Sequence, residues 1–186
     1  MPDNNLELRT ALRTLQVVMD ACANIKLTEG GSVLEHSLWS AQQAMVRRES
    51  KVIVVASLFH DVGHYICSGD PELTDYSRDR EHAALGAAWL SRWFPSEVCA
   101  PIALHIDAKR YLATVDVAYY QQLGLGSAQS LEHQGGVMSP DEIQNFRSAE
   151  HFKSALLIRE FDDTPYRGEK LWPYSWYEHV VISVMR

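Results

Sequence analysis

His60 and Asp61 stand side by side where an apolar run, residues 52–59, comes to an end. Burying a charge costs several kcal/mol unless something pairs with it. A metal ion is the usual partner for an imidazole–carboxylate doublet in that setting. A helix end at which Asp61 forms a salt bridge and His60 is merely polar accounts for the doublet alone equally well, so ligands elsewhere must decide. His36, His82 and His105 each lie among apolar neighbours on separate helical stretches, and Asp162 closes the run Arg159-Glu160-Phe161-Asp162. Taken singly, each histidine reads as a hydrogen-bonded core or surface residue. Four helices each turning one histidine towards a common centre make that reading poor. Imidazole with carboxylate is a ligand set for first-row transition metals.

The elements that must position these groups read as helices. Apolar residues recur at helical spacing over residues 6–23, and Gly30-Gly31 stops the pattern. Ser32 with Glu35 three residues on forms a capping-box pattern that starts a helix over residues 33–47. Residues 51–60 form the most apolar helix, residues 68–78 a polar loop, and residues 80–94 and 96–111 two further helices. Short helices are expected over 115–123 and 128–133. Ser139-Pro140-Asp141-Glu142 is a strong helix start, with helix continuing over 148–160. A loop over 164–173 precedes a terminal helix over 176–185. Period-two alternation is almost absent, so the expected fold is all-α, a single helical domain over 1–186.

Composition narrows the function classes. The chain has 186 residues, 46% of them hydrophobic, a net charge of −7 and a pI near 5.6. That balance argues against a nucleic-acid or membrane-surface partner, while a local cluster of cations remains compatible with a small anionic substrate. Cys22, Cys67 and Cys99 are scattered and odd in number, which reads as a reducing compartment without a disulfide framework. Cys67 is expected to be a small apolar filler. The first residues are polar and acidic rather than a signal peptide, and a soluble cytoplasmic protein is expected.

The pattern His36 … His60-Asp61 … Asp162 resembles the HD-domain superfamily of metal-dependent all-α enzymes, and His82 and His105 resemble its two-metal subset. The stretches 58–65, 108–112, 131–136 and 158–162 resemble the mixed-valent diiron oxygenases of the PhnZ and TmpB type, which cleave 1-hydroxyphosphonates with O2. The resemblance covers roughly residues 29–163, leaving 164–186 as an aromatic loop and helix. It implies two iron ions bridged by Asp61, one held also by His36, His60 and Asp162, the other by His82 and His105. Asp61, His64 and Lys109 are then the expected catalytic residues. Glu29, His64, Lys109, Ser127, Gln134 and Arg159 are the expected substrate contacts.

Spacing adds an argument of its own. Lys109 lies four residues beyond His105, Arg159 three before Asp162, and His64 four beyond His60, on the same face if that helix continues. Three donor or cationic groups thus sit one turn from a ligand, as a phosphonate shell requires. In the related oxygenases a Tyr-x-x-Glu pair meets the substrate's amine end; here it is Lys26-Leu27-Thr28-Glu29. The lost ring favours a trimethylammonio substrate, giving glycine betaine, over the primary amine giving glycine. Trp39, Tyr65, Tyr76 and Tyr111 are the aromatic residues available for a cage. Competing readings are a metal-dependent phosphohydrolase and a non-catalytic phosphonate sensor. Trp172 to Tyr177 reads as a packed C-terminal lid or a dimer contact, monomer and homodimer being equally open, and His133, His151 and His179 as surface histidines.

Overall fold

The computed structural model describes residues 4–28, 30–68 and 81–186; the expected loop over 68–78, Tyr76 and Glu29 fall outside them, apart from the end of one helix at Ser68. The described residues form eleven α-helices and no strand, the expected all-α fold. In chain order these are α1 (Asn4–Cys22), α2 (Val33–Val46), α3 (Lys51–Phe59), α4 (Gly63–Ser68), α5 (His82–Leu90) and α6 (Ser96–Val115). They continue as α7 (Val117–Gln122), α8 (Leu125–His133), α9 (Pro140–Ser148), α10 (Phe152–Asp162) and α11 (Glu178–Val184).

Helix α3 is the axis of the core. Ser50 caps its start by accepting from the Ile53 N–H, and every residue from Ile53 to Phe59 is buried. Helices α2, α6, α10 and α11 pack around it. A helix that is apolar all round must lie inside the protein, so its C-terminal end delivers His60 and Asp61 into the interior. The capping box at the start of α2 is present: Glu35 N–H donates to Ser32 Oγ (3.3 Å), and Ser32 N–H donates to Glu35 Oε2 (2.8 Å). Glu35 is therefore a cap.

The helix expected over 51–60 ends at its expected place and does not carry His64: α3 stops at Phe59, and α4 starts afresh at Gly63. Gly63 allows this turn to press against α5, since a Cβ there would lie 1.8 Å from the His82 carbonyl oxygen. Nor is 148–160 one helix. Ala149 leaves the helical region (ψ 136°) and α10 begins at Phe152. The corner lets Phe152 pack edge-on against Tyr111 and Phe146 in a second apolar cluster, which aims α10 along α6.

The aromatic C-terminal segment is part of the main core. Tyr177 is wholly buried and donates its hydroxyl to the Leu38 carbonyl (3.3 Å), and Trp172 stacks on the exposed Trp176. Among the described residues no helix is long and apolar enough to cross a membrane.

Candidate metal centre

The six residues singled out as ligands converge. From the end of α3, Asp61 points Oδ2 at His60 Nε2 (3.4 Å) and His36 Nε2 (3.7 Å), and points Oδ1 at His82 Nε2 (3.4 Å) and His105 Nε2 (3.8 Å). The end of α10 adds Asp162, whose Oδ1 lies 2.8 Å from His36 Nε2 and 3.5 Å from His60 Nε2. His36 and His60 are 3.2 Å apart at their Nε2 atoms, as are His82 and His105. Donors about 2.1 Å from a shared ion stand roughly 3 Å apart when adjacent. Both groups, His36–His60–Asp61 and Asp61–His82–His105, have that spacing.

Tautomers argue for cations between them. His60 Nδ1–H donates to the Ser57 carbonyl (2.8 Å), and His105 Nδ1–H to the Ile102 carbonyl (2.7 Å). A carbonyl accepts only, so in the neutral rings each Nε2 presents a lone pair to the other lone pairs of the cluster. A backbone carbonyl holding the far nitrogen of a ligand histidine is a usual arrangement around metals. Without an ion the cluster is electrostatically awkward. Burial and the neighbouring His82 push His105 down to about 3. Burial would lower His60 too, but Asp61 and Asp162 hold its pKa well above the usual range. Burial would raise both carboxylates, yet His60 holds Asp61, and Arg159 with His60 holds Asp162, far below the ordinary carboxylate value.

The centre forms one wall of a cavity of about 790 Å³, well sized for a small organic ligand. His64, Lys109, Ser127, Gln134 and Arg159 all line it. His64 reaches it by stacking on His82, with ring centroids 4.0 Å apart. Lys109 is 3% exposed and donates to Ser130 Oγ (2.7 Å). Arg159 is equally buried, with Nη1 at 2.6 Å from Asp162 Oδ2 and Nε donating to Asp163 Oδ2 at 2.8 Å; Nη2 also donates to Asp163. Of its five N–H groups, two remain for the cavity. Gln134 is held by its turn: the buried Arg110, next to Lys109 on α6, donates to the Gly136 carbonyl (3.0 Å) and to Glu142 Oε1 (2.6 Å).

Glu29 lies outside the described residues, between Thr28 and Gly30, which both line the cavity. Of the aromatic residues considered for a cage, Trp39, Tyr65 and Tyr111 serve in packing: Trp39 is buried against Tyr166, Tyr65 packs on the core, and Tyr111 on Phe146. Among the described residues, the tyrosines that line it are Tyr119 and Tyr166. Cys67 also lines the cavity instead of filling the core. Sequence reading missed Tyr119, Tyr166, Lys26, Arg167 and Asp163. Only Asp163 carried a signal, its position four residues beyond Arg159. His133 and His179 are exposed, as expected; His151 is half-buried.

Comparison with known proteins agrees with this site. The HD domain family model matches residues 33–141, which contain five of the six convergent residues; Asp162 lies beyond the match. A hydroxymethylphosphonate dioxygenase of Gimesia maris is 35% identical over 136 residues, 73% of this chain and 68% of that protein. A glycine-betaine-forming 1-hydroxy-2-(trimethylamino)ethylphosphonate dioxygenase of Leisingera caerulea is 31% identical over 151 residues, 81% of this chain and 77% of that one. An uncharacterized protein of Acanthamoeba polyphaga mimivirus is 28% identical over 160 residues, 84% of this chain and 73% of that one. With its ligand-spaced histidines and these relatives, the chain belongs to the HD-domain family and is an enzyme of its oxygenase branch.

Proposed function

We propose that this enzyme is a diiron oxygenase that cleaves the C–P bond of a 1-hydroxyphosphonate. The observation that carries the reading is the division of Asp61, one carboxylate oxygen facing the His36–His60 pair and the other facing His82–His105. A carboxylate bridging two ions is what such a division serves. Two iron ions bound there, with Asp162 on the His36 side, would supply the O2 chemistry that breaks the C–P bond. The protein's own groups bind and orient the substrate. Lys109 and His64 take phosphonate oxygens, the spare N–H groups of Arg159 add charge-assisted bonds, and Ser127 and Gln134 fix the rotation of the anion. Burial of Lys109 and Arg159 strengthens their hold, since a desolvated cation pairs more strongly than one in water.

For the distal group we retain the trimethylammonio substrate, with Glu29, Tyr119 and Tyr166 as the groups nearest in chain or cavity, and the primary amine as its alternative. A second reading, a 1-hydroxyphosphonate without a cationic end such as hydroxymethylphosphonate, is favoured by Lys26 and Arg167, two cations that line the same cavity. We place the enzyme in the cytoplasm, in keeping with cysteines that are scattered and odd in number.

The test is phosphate release by Fe(II)-loaded protein from all three substrates, with and without O2. Release that requires O2 is expected, and the ranking of the three decides the distal group. Release from a phosphate ester under strict anaerobiosis, with none from any phosphonate in air, would replace the reading with a hydrolase. Binding of a phosphonate that ignores metal and yields no phosphate would replace it with a sensor.

A further inference from the structure

A chain of side chains runs outward from one metal ligand to the surface. Asp162 turns Oδ1 towards His36 and Oδ2 towards Arg159 Nη1 (2.6 Å). The opposite edge of Arg159, Nε and Nη2, is taken by both oxygens of Asp163. Tyr119 then donates its hydroxyl to Asp163 Oδ2 at 2.7 Å. Asp163 is the C-cap of α10, its N–H bonded to the Arg159 carbonyl, so two successive carboxylates face one guanidinium across the helix's last turn.

The geometry of a guanidinium makes this sharing consequential. An arginine offers its Nε–Nη2 edge as a two-pronged fork that matches both oxygens of a carboxylate. Given that edge, Asp162 would engage Arg159 with both oxygens and turn Oδ1 away from His36. Occupation by Asp163 leaves Asp162 a single Nη1 contact through Oδ2. Charge acts in the same sense. One cation divided between two carboxylates leaves the pair net negative, so Asp162 keeps the electron density a ligand needs. Tyr119 secures the arrangement from α7, a helix that buries no side chain of its own and whose end, Gln122 with Leu123, walls the cavity. Burial keeps its phenol well above the ordinary range, hence protonated and a donor.

We propose that Asp163, held by Tyr119, is a positioning residue for the metal centre: by filling the Nε–Nη2 edge of Arg159, it confines Arg159 to one oxygen of Asp162 and leaves the other for the ion shared with His36 and His60. The inference rests on the metal-centre reading above. It acts on one half of the centre only, and that selectivity makes it testable.

The full chain is loaded anaerobically with Fe(II), and bound metal and its release to a chelator are followed for wild type, Asp163→Asn and Tyr119→Phe. Two ions per chain are expected in wild type. In Asp163→Asn one ion should leave at least tenfold faster while the other keeps its wild-type rate, with kcat reduced and the substrate KM nearly unchanged. Tyr119→Phe should speed the same ion at least threefold. Unchanged release of both ions, or equal loss of both in folded protein, overturns the inference and leaves the reading of the centre intact. If Asp163→Asn does not fold, Tyr119→Phe decides by the same criterion. A wild-type chain that takes up no ion overturns the metal-centre reading, and the inference with it.

Discussion

The two halves of the centre share one carboxylate and differ in almost everything else. On the side of His36 and His60, Asp61 Oδ2 is joined by Asp162 Oδ1, and Asp162 is backed by Arg159 and Asp163. On the side of His82 and His105, Asp61 Oδ1 is the one carboxylate oxygen among the described residues, with the stacked ring of His64 beside it. Among the described residues, an ion held by the first half would meet two anionic oxygens and an ion held by the second one. The second would then keep more of its positive charge, as suits an ion that also takes a reactant. Among the described residues the asymmetry comes from Asp162, delivered by a helix outside the stretch that the HD domain model matches.

Removing what the halves share should have the largest effect. Asp61→Ala should abolish binding of both ions and lower activity by about 10³-fold or more, since metal stabilisation of a transition state is worth several kcal/mol. Metal content by mass spectrometry checks it; a variant retaining both ions would show that Asp61 does not bridge. Removing one half should separate them. His82→Ala should keep one ion, bound as in wild type, and lose turnover, whereas Asp162→Ala should lose the other. Each variant should retain one ion, and the two retained ions should leave to a chelator at different rates; identical release rates would erase the distinction between the halves.

The sparse half also depends on backbone packing that the rich half does not. Gly63→Ala places a methyl group against the His82 carbonyl, 1.8 Å from it before relaxation. Such overpacking costs about 1–3 kcal/mol, about 2–4 °C in Tm for each kcal/mol at this chain length. Because the displaced residue is His82, the ion lost first should be the one that His82→Ala loses. Thermal melts with and without metal read both effects. Lys109→Ala should spare both halves: wild-type metal content, with KM for the phosphonate raised about 10-fold or more, the loss of a charge-assisted bond of about 1.5–3 kcal/mol.

The convergent residues were legible in the sequence because His60 and Asp61 end an apolar run and because the pattern with His36, His82, His105 and Asp162 resembles that of a known family; the capping signals at Ser32 and Ser139 locate helix starts. The cavity's far side was not. Tyr166 and Arg167 lie in a loop whose course is set by packing against Trp39, and no periodicity reports such contacts. Tyr119 reads as an ordinary residue of a short helix until Asp163 is placed beside it. The break after Ser148 escaped notice because Ala149 and Phe152 are compatible with helix, and only the tertiary fit of Phe152 against Tyr111 ends it. How His64 meets the site was hidden for a related reason: Gly63 signals a close approach, but not to which partner.

The smallest effect concerns the protein without metal, where protons report the same asymmetry. His60 faces two carboxylates, and its pKa lies well above 6.5; His105 is buried beside His82, and its pKa falls to about 3. At neutral pH the metal-free rich half should therefore hold a proton on His60, in the place of an ion, while His105 stays neutral. The two contributions to stability have opposite signs. His105 costs stability as pH falls from 6.5 towards 3, because only the unfolded chain takes up its proton there. His60 contributes stability below 6.5 and loses it as pH rises through its folded value. Histidine ring resonances of the metal-free protein, followed from pH 8 down to the acid limit of the fold, should show a protonated His60 and a His105 silent through 6.5. Were both rings to titrate together near 6.5, the two halves would be electrostatically equivalent, and their difference would have to arise from coordination number alone.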